Sequence, residues 1–351
     1  MSSATRRAAH TDLATFLALL SDRELADLVA SGTPLGVGIG GRSTLVEVDG
    51  RRVFVKRVPV TDIERLPENT RSTADIFELP SFCHYGIGGP GFGSVWRELA
   101  VHTMTTNWVL ADGFPGFPLM HHWRVLPDAV QPLPVELADV EEVVAYWGGG
   151  PQVRERIEAL RTASASLTLF LEYFPHTLHD WLDTQVRTDD ADRTCTRVDE
   201  WLGALTAFLH RHRLLHFDLH FQNVVTDGEE FYLVDYGLAF SPRFRLSRQE
   251  RAFFDRHRDY DLVYSRAHLV NWLVTALYGY DRQEREAFVR ACAIGAHTDG
   301  LPEAATAIIA RDAPLTAVLN GFFRRLRTES RQTPYPYEDL RLAYSSSTLS
   351  A

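Results

Sequence analysis

The chain has 351 residues, of which 45% are hydrophobic and 23% are charged, as is typical of globular domains. Its net charge of -10 argues against binding of nucleic acid or of an anionic membrane surface, because both partners require a positive field. Three widely spaced cysteines support neither a disulfide framework nor a zinc site, and no apolar run approaches the roughly 20 residues that span a bilayer, so we expect a cytoplasmic protein without membrane partners.

Two short helices are expected at the N-terminus. Apolar side chains recur near helical spacing across residues 11–30, with Thr11 or Asp12 as the cap and an interruption near Ser21. We treat residues 1–32 as a helical extension that packs against the first sheet.

A glycine-rich strand pair follows this extension. Residues 43–48 alternate as a strand, Asp49-Gly50 is typical of a hairpin turn, and Val53 to Lys56 form the second strand. The preceding glycines follow the pattern G-x-G-x-x-G at Gly36, Gly38 and Gly41. A dinucleotide-binding fingerprint would open a helix directly after the glycines, and a Walker loop would need Gly-Lys-Ser/Thr, so we disfavour both.

The segment 59–93 interrupts this regular pattern. Its last part, residues 82–93, is rich in glycine and carries interspersed aromatic side chains. Such a loop could cover an active site or could be a simple connector, and both interpretations remain open. A helix is predicted directly afterwards, over Val95–Leu110, with Glu98 near its start.

The middle of the chain alternates between strands and polar stretches. We predict a strand over residues 121–126, a helix over 152–161 and a buried strand over 167–175 that ends at a proline. Between the first two lies an excursion, residues 127–150, whose proline, acidic residues and glycine predict an exposed segment.

Helices dominate the remainder of the chain. An amphipathic helix is predicted over residues 196–213. Further helices are expected at 262–278, 283–295, 302–311 and 313–328.

The stretch 215–240 carries the strongest chemical signal. It holds an acid, an amide and a second acid, Asp218, Asn223 and Asp235, and two short apolar runs flank the hairpin signal Asp227-Gly228. A hairpin brings Asn223 and Asp235 to the same end, where their oxygens suit Mg²⁺ together with phosphate oxygens. Asp218 is left to face a substrate hydroxyl. An ordinary hairpin with surface Asp and Asn is the alternative, which the combined spacing disfavours.

The order His-x-Asp-x-x-x-x-Asn from His216 to Asn223, followed by Asp-Tyr-Gly at Asp235, resembles the catalytic loop and metal-binding motif of the protein-kinase-like superfamily. More narrowly, Asp218-Leu-His220 resembles aminoglycoside and small-molecule phosphotransferases, because protein kinases usually carry lysine two positions after the catalytic acid. The resemblance covers roughly residues 33–280. It implies an α+β, two-lobed fold, with a small antiparallel-sheet lobe and a larger, mainly helical lobe.

The resemblance also implies a nucleotide half of the site. The glycine loop would let backbone N–H groups approach the phosphates of ATP, and Lys56 would bind the α- and β-phosphates. Glu98 would pair with Lys56, with Glu64, Glu68 and Glu78 as competitors. Backbone groups of a hinge segment would bond the adenine, at Glu172, Tyr173 and Phe174.

For the second half, the resemblance implies that Asp218 orients the acceptor hydroxyl and receives its proton, while Asn223 and Asp235 bind Mg²⁺. His220 would either contact the γ-phosphate or substrate, or simply pack. Asp261 resembles the acidic residue that holds the catalytic-loop backbone in this family.

The domains implied by the resemblance follow from these positions. After the extension they are an N-lobe over residues 33–174, which includes the insertion 59–93, and a C-lobe over 175–351 with the catalytic loop at 214–240. The absence of an Ala-Pro-Glu sequence after residue 240 argues against an activation segment controlled by phosphorylation.

The implied function is transfer of the γ-phosphate of ATP to a hydroxyl, either of Ser or Thr in a precursor peptide or of a small molecule. The loop His-Phe-Asp-Leu-His-Phe-Gln-Asn also resembles kinase-like proteins of peptide natural-product (lanthipeptide-type) biosynthesis, which would add a partner enzyme of such a pathway. The alternative is a pseudokinase scaffold that binds nucleotide or a partner without catalysis. The intact set of Lys, Asp, Asn and Asp disfavours that alternative, and the choice between ATP and GTP stays open.

Overall fold

The computed structural model describes residues 3–38, 40–85, 94–298 and 300–348 of an α+β protein. Its contacts divide the chain into two compact units. The first comprises Met1–Pro175 with Tyr232–Arg251, and the second comprises His176–Phe231 with Ala252–Ala351. Residues Tyr232–Arg251, which we expected in the helical C-lobe, therefore belong to the first unit.

A five-stranded antiparallel sheet in the order β1-β2-β3-β5-β4 is the base of the first unit. Its strands are β1 (Thr33–Gly38), β2 (Gly41–Val48), β3 (Arg51–Val60), β4 (Met120–Pro127) and β5 (Ala165–Glu172). The turn between β2 and β3 is the predicted Asp49-Gly50 pair, with φ of 48° and 71°. Positive φ at both central residues matches the right-handed twist of the strands, so this prediction is confirmed.

The N-terminal extension forms two helices, α1 (Ser3–Leu19) and α2 (Asp22–Ala30). The predicted interruption is confirmed, because Ser21 caps α2 in a capping box with Glu24. The predicted cap at Thr11 or Asp12 is wrong, since α1 already begins at Ser3. Leu13 and Leu17 of α1 are buried in the core that lies against the sheet.

Arg6 of α1 ties the extension to the end of strand β5. Its guanidinium is 4% exposed and donates two hydrogen bonds to the carboxylate of Glu172, at 3.0 and 2.7 Å. It also donates to the carbonyl oxygens of Pro115 and Phe117, and it lies 4.8 Å from the centre of the Tyr232 ring. The planar, five-donor guanidinium suits this number of acceptors.

Most residues of the excursion 127–150 are exposed, as its composition predicts, but the segment also forms a helix and buries a few side chains. It contains α5 (Val140–Tyr146) and is followed by α6 (Pro151–Arg161). Leu137 and Trp147 are each 1% exposed and pack with Cys83 in a small separate core. The buried side chains of the excursion are apolar, whereas its proline and acidic side chains stay exposed or partly exposed. Residues 86–93 of the preceding glycine-rich stretch lie outside the described residues.

Two further helices complete the first unit's connection between β3 and β4. They are α3 (Asp62–Arg65) and the predicted helix α4 (Val95–Leu110), which has the expected bounds. Two elements, β8 (Phe231–Leu233) and α9 (Arg248–Arg256), contain the points at which the chain passes between the units.

The second unit is mainly helical. Its helices are α7 (Leu178–Gln185), α8 (Ala191–His212), α10 (Tyr260–Tyr278), α11 (Arg282–Cys292), α12 (Glu303–Thr328) and α13 (Tyr337–Thr348). A short strand β6 (His176–Thr177) pairs antiparallel with β7 (Val224–Thr226). We predicted two helices where α12 runs continuously through Pro314. Burial of Ile309, Leu315 and Leu319 along α12 outweighs the hydrogen bond that the proline removes.

None of the described helices combines the length and the apolar character that crossing a membrane requires.

Replacement of Arg6 by alanine should lower the free energy of unfolding by about 3 kcal/mol, because the Glu172 carboxylate would lose its buried partner. Urea denaturation followed by circular dichroism measures this change. Arg23→Ala is the matched control, since the Arg23 side chain is 91% exposed and its replacement should change stability by less than about 0.5 kcal/mol. Equal effects of the two substitutions would contradict a structural role for the Arg6 contacts.

Candidate functional site

Lys56 of β3 lies between two carboxylates in the first unit. Its Nζ donates to Glu98 Oε1 at 2.8 Å and to Asp235 Oδ1 at 2.9 Å. The Lys56 and Glu98 side chains are 12% and 5% exposed, whereas that of Asp235 is 39% exposed. The ion pair predicted between Lys56 and Glu98 is therefore present, although 42 residues separate the two positions.

The competitor Glu64 pairs elsewhere. It is fully buried on α3, where its carboxylate accepts a hydrogen bond from Arg156 at 3.0 Å and another from the backbone N–H of Val95 at 3.0 Å. Helix α4 then places Glu98 one turn into the helix, on a buried part of its surface.

The two carboxylates keep Lys56 charged. Burial lowers the pKa of Lys56, but the charges of Asp235 and Glu98 raise it by more, and the net shift is upward. The composition of the chain, a signal that sequence reasoning missed, points to the same residue: Lys56 is the single lysine, and the other 35 of the 36 basic Lys and Arg residues are arginine. An ammonium side chain is thus present only where it contacts these two carboxylates.

His102 is a second buried residue of this site that sequence reasoning missed. It lies one turn after Glu98 on α4, with its Nε2 3.9 Å from Glu98 Oε1 and its ring 4.6 Å from that of Tyr236. Burial, together with the charge of Lys56, lowers the pKa of His102 to about 3. Neither ring nitrogen has a hydrogen-bond partner among the described residues. The His102 ring is therefore neutral and packs beside the carboxylate of Glu98.

The glycine turn between β1 and β2 approaches Lys56. A Cβ at Gly40 would lie 3.4 Å from Lys56 Nζ and 3.5 Å from Asp235 Oδ2, so this glycine, which the G-x-G-x-x-G pattern does not include, is the nearest to the charged group. Gly41 has a φ of 117°, and a Cβ there would lie 2.1 Å from the carbonyl oxygen of Arg57. Gly41 is therefore required by the fold. Gly36 and Gly38 have no such steric requirement, since a Cβ there would meet nothing closer than 3.9 Å.

Asp235 has a backbone conformation that is rare for a non-glycine residue, with a φ of 61°. Its Oδ1 also accepts a hydrogen bond from the backbone N–H of Gly237 at 3.2 Å. The next residue, Tyr236, is buried, and its hydroxyl donates to the carbonyl oxygen of Leu233 at 2.8 Å. Sparsely populated backbone conformations of this kind concentrate at functional sites.

The three predicted hinge residues lie at and directly after the end of strand β5 in the first unit. The Glu172 carboxylate accepts hydrogen bonds from Arg6, and its backbone N–H donates to the carbonyl oxygen of Leu119 at 3.0 Å. The Phe174 ring stacks on that of Tyr232 at 3.9 Å, and the guanidinium of Arg52 lies 4.7 Å from the centre of the Tyr173 ring. All three side chains thus have structural partners, and the binding of an adenine by their backbone groups stays a prediction.

In the second unit, Asp218 and Asn223 contact each other directly. The Asn223 Nδ2 donates to the Asp218 carbonyl oxygen at 3.0 Å and to Asp218 Oδ2 at 3.1 Å. His220 lies beside them, with its Nε2 3.6 Å from Asp218 Oδ2. Because both bonds of Asn223 use its amide nitrogen, Oδ1 is the atom that can face a cation.

Helix α10 holds the backbone of this loop at two points. Asp261, 3% exposed, accepts hydrogen bonds from the backbone N–H groups of His216 at 2.6 Å and Phe217 at 2.9 Å. Two turns further along α10, His268 Nε2 accepts a bond from the N–H of Phe221 at 3.3 Å. The predicted contact of Asp261 with the loop is present, and His268 is a support that sequence reasoning missed.

The loop needs such support because Phe217 is strained. It has a φ of 67°, which is unfavourable for a bulky residue, and its ring stacks on that of Tyr260 at 4.2 Å. Asp261 and Tyr260, neighbours on α10, therefore hold the backbone and the side chain of the residue that precedes Asp218.

The candidate metal ligands are one carboxylate and one amide oxygen. Within the described residues, no group of three or more His, Cys, Asp or Glu side chains is arranged to hold a metal ion. Mg²⁺ at phosphoryl-transfer sites uses only one or two protein oxygen ligands and completes its octahedron with phosphate and water oxygens. The carboxylate of Asp235 in the first unit and the amide oxygen of Asn223 in the second unit are each hard donors of this type, so the donor chemistry fits the group.

No protein-family model and no curated protein matches this chain. The first unit presents a buried ammonium beside a glycine turn, and this combination suits an anionic ligand. The second unit presents a carboxylate next to an amide on a loop that helix α10 supports.

Acid should destabilise the protein in part through His268. Burial, reinforced by the charge of His220, lowers the pKa of His268 to about 3 from 6.5, so the folded chain keeps it neutral. Below pH 6.5 the unfolded chain binds a proton that the folded chain does not, and the free energy of unfolding falls as the pH drops towards 3. The loss for this residue is about 1.4 kcal/mol per pH unit.

Urea denaturation between about pH 7.5 and pH 5 measures this effect. The stability difference between the wild type and His268→Gln should shrink by about 2 kcal/mol as the pH falls, because glutamine cannot titrate. The exposed His297 supplies the control substitution His297→Gln, which should leave the slope unchanged. Parallel curves for wild type and His268→Gln would show that His268 protonates in the folded state.

Proposed function

We propose that the chain is an ATP- and Mg²⁺-dependent phosphotransferase that moves the γ-phosphate to a hydroxyl acceptor. The observation that carries this proposal is the contact of Lys56 with Glu98 and Asp235 beside a glycine turn. In phosphoryl transfer, a lysine held by a helix glutamate positions the α- and β-phosphates, and an aspartate after the catalytic loop binds the metal.

The presence of lysine at this one position supports the proposal. A chain that uses arginine at all its other 35 positions for strongly basic residues carries an ammonium side chain here. An ammonium is a compact point charge that can exchange carboxylate for phosphate oxygens, whereas a guanidinium is a wide planar fork. Position 56 therefore has a chemical requirement that the other basic positions lack.

In the proposed reaction, Asp218 orients the acceptor hydroxyl and accepts its proton as the oxygen attacks the γ-phosphorus. The bond from Asn223 Nδ2 holds the Asp218 carboxylate, and Asp261 and His268 hold the loop that carries both residues. Mg²⁺, when bound by Asn223 and Asp235, would neutralise phosphate charge. His220, close to Asp218, would contact the acceptor or the transferred group.

The proposed fold is two-lobed and protein-kinase-like. A unit with a five-stranded antiparallel sheet and a mainly helical unit are the components of such a fold. The Asp-Leu-His sequence at Asp218 favours small-molecule phosphotransferases and kinase-like proteins of peptide natural-product biosynthesis over ordinary protein kinases. The proposed acceptor is accordingly a small molecule or a Ser or Thr of a precursor peptide, with a partner enzyme of the same pathway in the second case.

Asp218→Asn should reduce phosphoryl transfer by about a thousandfold, because the general base is lost while its shape is kept. Mass spectrometry would detect an added phosphate on a panel of Ser- and Thr-containing peptides and polyhydroxylated small molecules incubated with ATP and Mg²⁺. Asp255→Asn is the control, since the Asp255 side chain is 53% exposed and pairs with the exposed Arg258. Near-normal transfer by both Asp218→Asn and Asp235→Asn would refute the mechanism.

Lys56→Ala should raise the KM for ATP by about tenfold to a hundredfold, through loss of charge-assisted hydrogen bonds to phosphate. Steady-state kinetics and calorimetric titration with ATP measure the change. Removal of Mg²⁺ by EDTA should abolish transfer, and added Mg²⁺ should restore it. Arg51→Ala, an exposed substitution on the same strand, is the control. Unchanged ATP affinity in Lys56→Ala would exclude a nucleotide role for this site.

A further inference from the structure

The start of helix α4 is held by a buried carboxylate from the insertion between β3 and α4. Glu64 accepts hydrogen bonds from the N–H of Val95, the first residue of α4, and from Arg156 of α6, each at 3.0 Å. Its own carbonyl oxygen accepts a bond from Trp96 Nε1 at 2.9 Å. Since Glu64 is 0% exposed and Arg156 is 4% exposed, water cannot replace these partners.

A second buried ion pair joins α4 to the segment that follows Asp235. Arg97 of α4, 2% exposed, donates to Glu250 Oε1 at 2.7 Å and to the carbonyl oxygen of Thr73 at 2.8 Å. Its guanidinium lies 5.5 Å from the ring centres of both Phe240 and Phe244. Arg97 therefore contacts this segment at its two phenylalanines as well as at Glu250.

Glu250 is itself fixed in place. Its Oε2 accepts a hydrogen bond from the N–H of Ser247 at 2.7 Å, while its own N–H donates to Ser247 Oγ at 3.2 Å. This reciprocal pattern is a capping box at the start of α9. The carboxylate is consequently held in one orientation, towards Arg97, whose bond to Thr73 is to a neutral carbonyl oxygen.

Arg97 and Glu98 are adjacent on α4. The contact of Arg97 with Glu250 and the contact of Glu98 with Lys56 therefore constrain the same helical turn. A movement of α4 that separated Glu98 from Lys56 would leave the charges of Arg97 and Glu250 buried and without each other, and it would take the Val95 N–H from the buried carboxylate of Glu64. In kinases the position of this helix, and the order of the segment after the metal-binding aspartate, is commonly controlled by a phosphate that pairs with arginine. In this chain the carboxylate of Glu250, and not a phosphate, pairs with the arginine of the helix, Arg97.

We propose that Glu64 and Glu250 are positioning residues that hold Glu98 against Lys56 permanently, so that the first unit is assembled without phosphorylation of the segment 236–250. The expected effect on catalysis rests on the proposed function, whereas the expected effect on the position of Glu98 beside Lys56 does not. The hydroxyls of that segment agree with this inference: Tyr236 and Ser241 are buried, and Ser247 is used in the cap.

Because Lys56 is the single lysine, the position of Glu98 beside it can be followed by chemical labelling. Amine-reactive reagents can modify only Lys56 and the N-terminal amine, so intact-mass analysis with peptide mapping follows Lys56 directly. Glu250→Gln keeps the shape of the side chain but removes its charge, and we expect the labelling rate of Lys56 to rise about tenfold as α4 opens locally. Deuterium exchange over residues 95–110 should accelerate to the same extent.

Glu141→Gln is the matched control, since Glu141 forms an ion pair with Arg154 in the same unit but its side chain is 76% exposed. Its Lys56 labelling should equal that of the wild type. If Glu250→Gln does not fold, Arg97→Gln, which removes the buried cation and adds no second amine, should likewise raise the labelling rate of Lys56. Wild-type labelling and exchange in whichever of these variants folds would overturn the proposal.

The kinetic test separates this inference from the proposed function. Glu250→Gln should lower kcat/KM for ATP about tenfold in the wild-type background and have no further effect in Lys56→Ala, because it acts through the Lys56–Glu98 pair. Protein shown by intact mass to carry no phosphate should be fully active, and a requirement for phosphorylation would overturn the proposal. If Lys56→Ala has no effect on ATP, the proposed function fails while the labelling result still judges the role of Glu250.

Discussion

The contact of one ammonium group with two carboxylates is the constraint on which the first unit depends. Lys56 is brought by a strand, Glu98 by a helix and Asp235 by the segment after β8, and each must arrive within about 3 Å of the same nitrogen. A buried lysine without such partners would lose its charge. The sheet, α4 and the returning segment are therefore coupled. Removing either carboxylate takes one partner from Lys56, and removing Lys56 leaves both carboxylates without their shared cation.

Other buried charges of the first unit follow a different rule. Glu64, Glu172 and Glu250 each pair with an arginine, and each also accepts at least one backbone N–H. A guanidinium can meet a carboxylate and a carbonyl oxygen at once, which offsets the desolvation of a long-lived structural contact. Lysine, with its compact ammonium, is found only at position 56, where it contacts two carboxylates.

The second unit supports its own site through the backbone. Phe217 carries an unfavourable φ directly before Asp218, and this strain persists because α10 supplies acceptors on both sides of the loop and an aromatic surface below it. The acceptors differ in chemistry: Asp261 is an acid whose pKa burial raises, and His268 is a neutral ring whose pKa burial lowers. His268 therefore stays neutral near neutral pH and can accept the hydrogen bond from the loop.

The sequence by itself determined the features that depend on neighbouring residues. Alternation and turn chemistry located β2, β3 and the Asp49-Gly50 turn, and helical periodicity located α4 with its bounds. These inferences needed only local steric and hydrogen-bonding preferences.

Only the tertiary structure decided the contacts between distant positions. The pairing of Arg97 with Glu250 joins residues 153 positions apart, and that of Arg6 with Glu172 joins residues 166 apart. The burial of Trp147 inside a mostly exposed stretch and the passage of α12 through Pro314 likewise could not be predicted from periodicity. Burial decides these outcomes, because the contribution of a charge, a proline or an apolar side chain to stability depends on the residues that pack around it. No local sequence pattern encodes those surroundings.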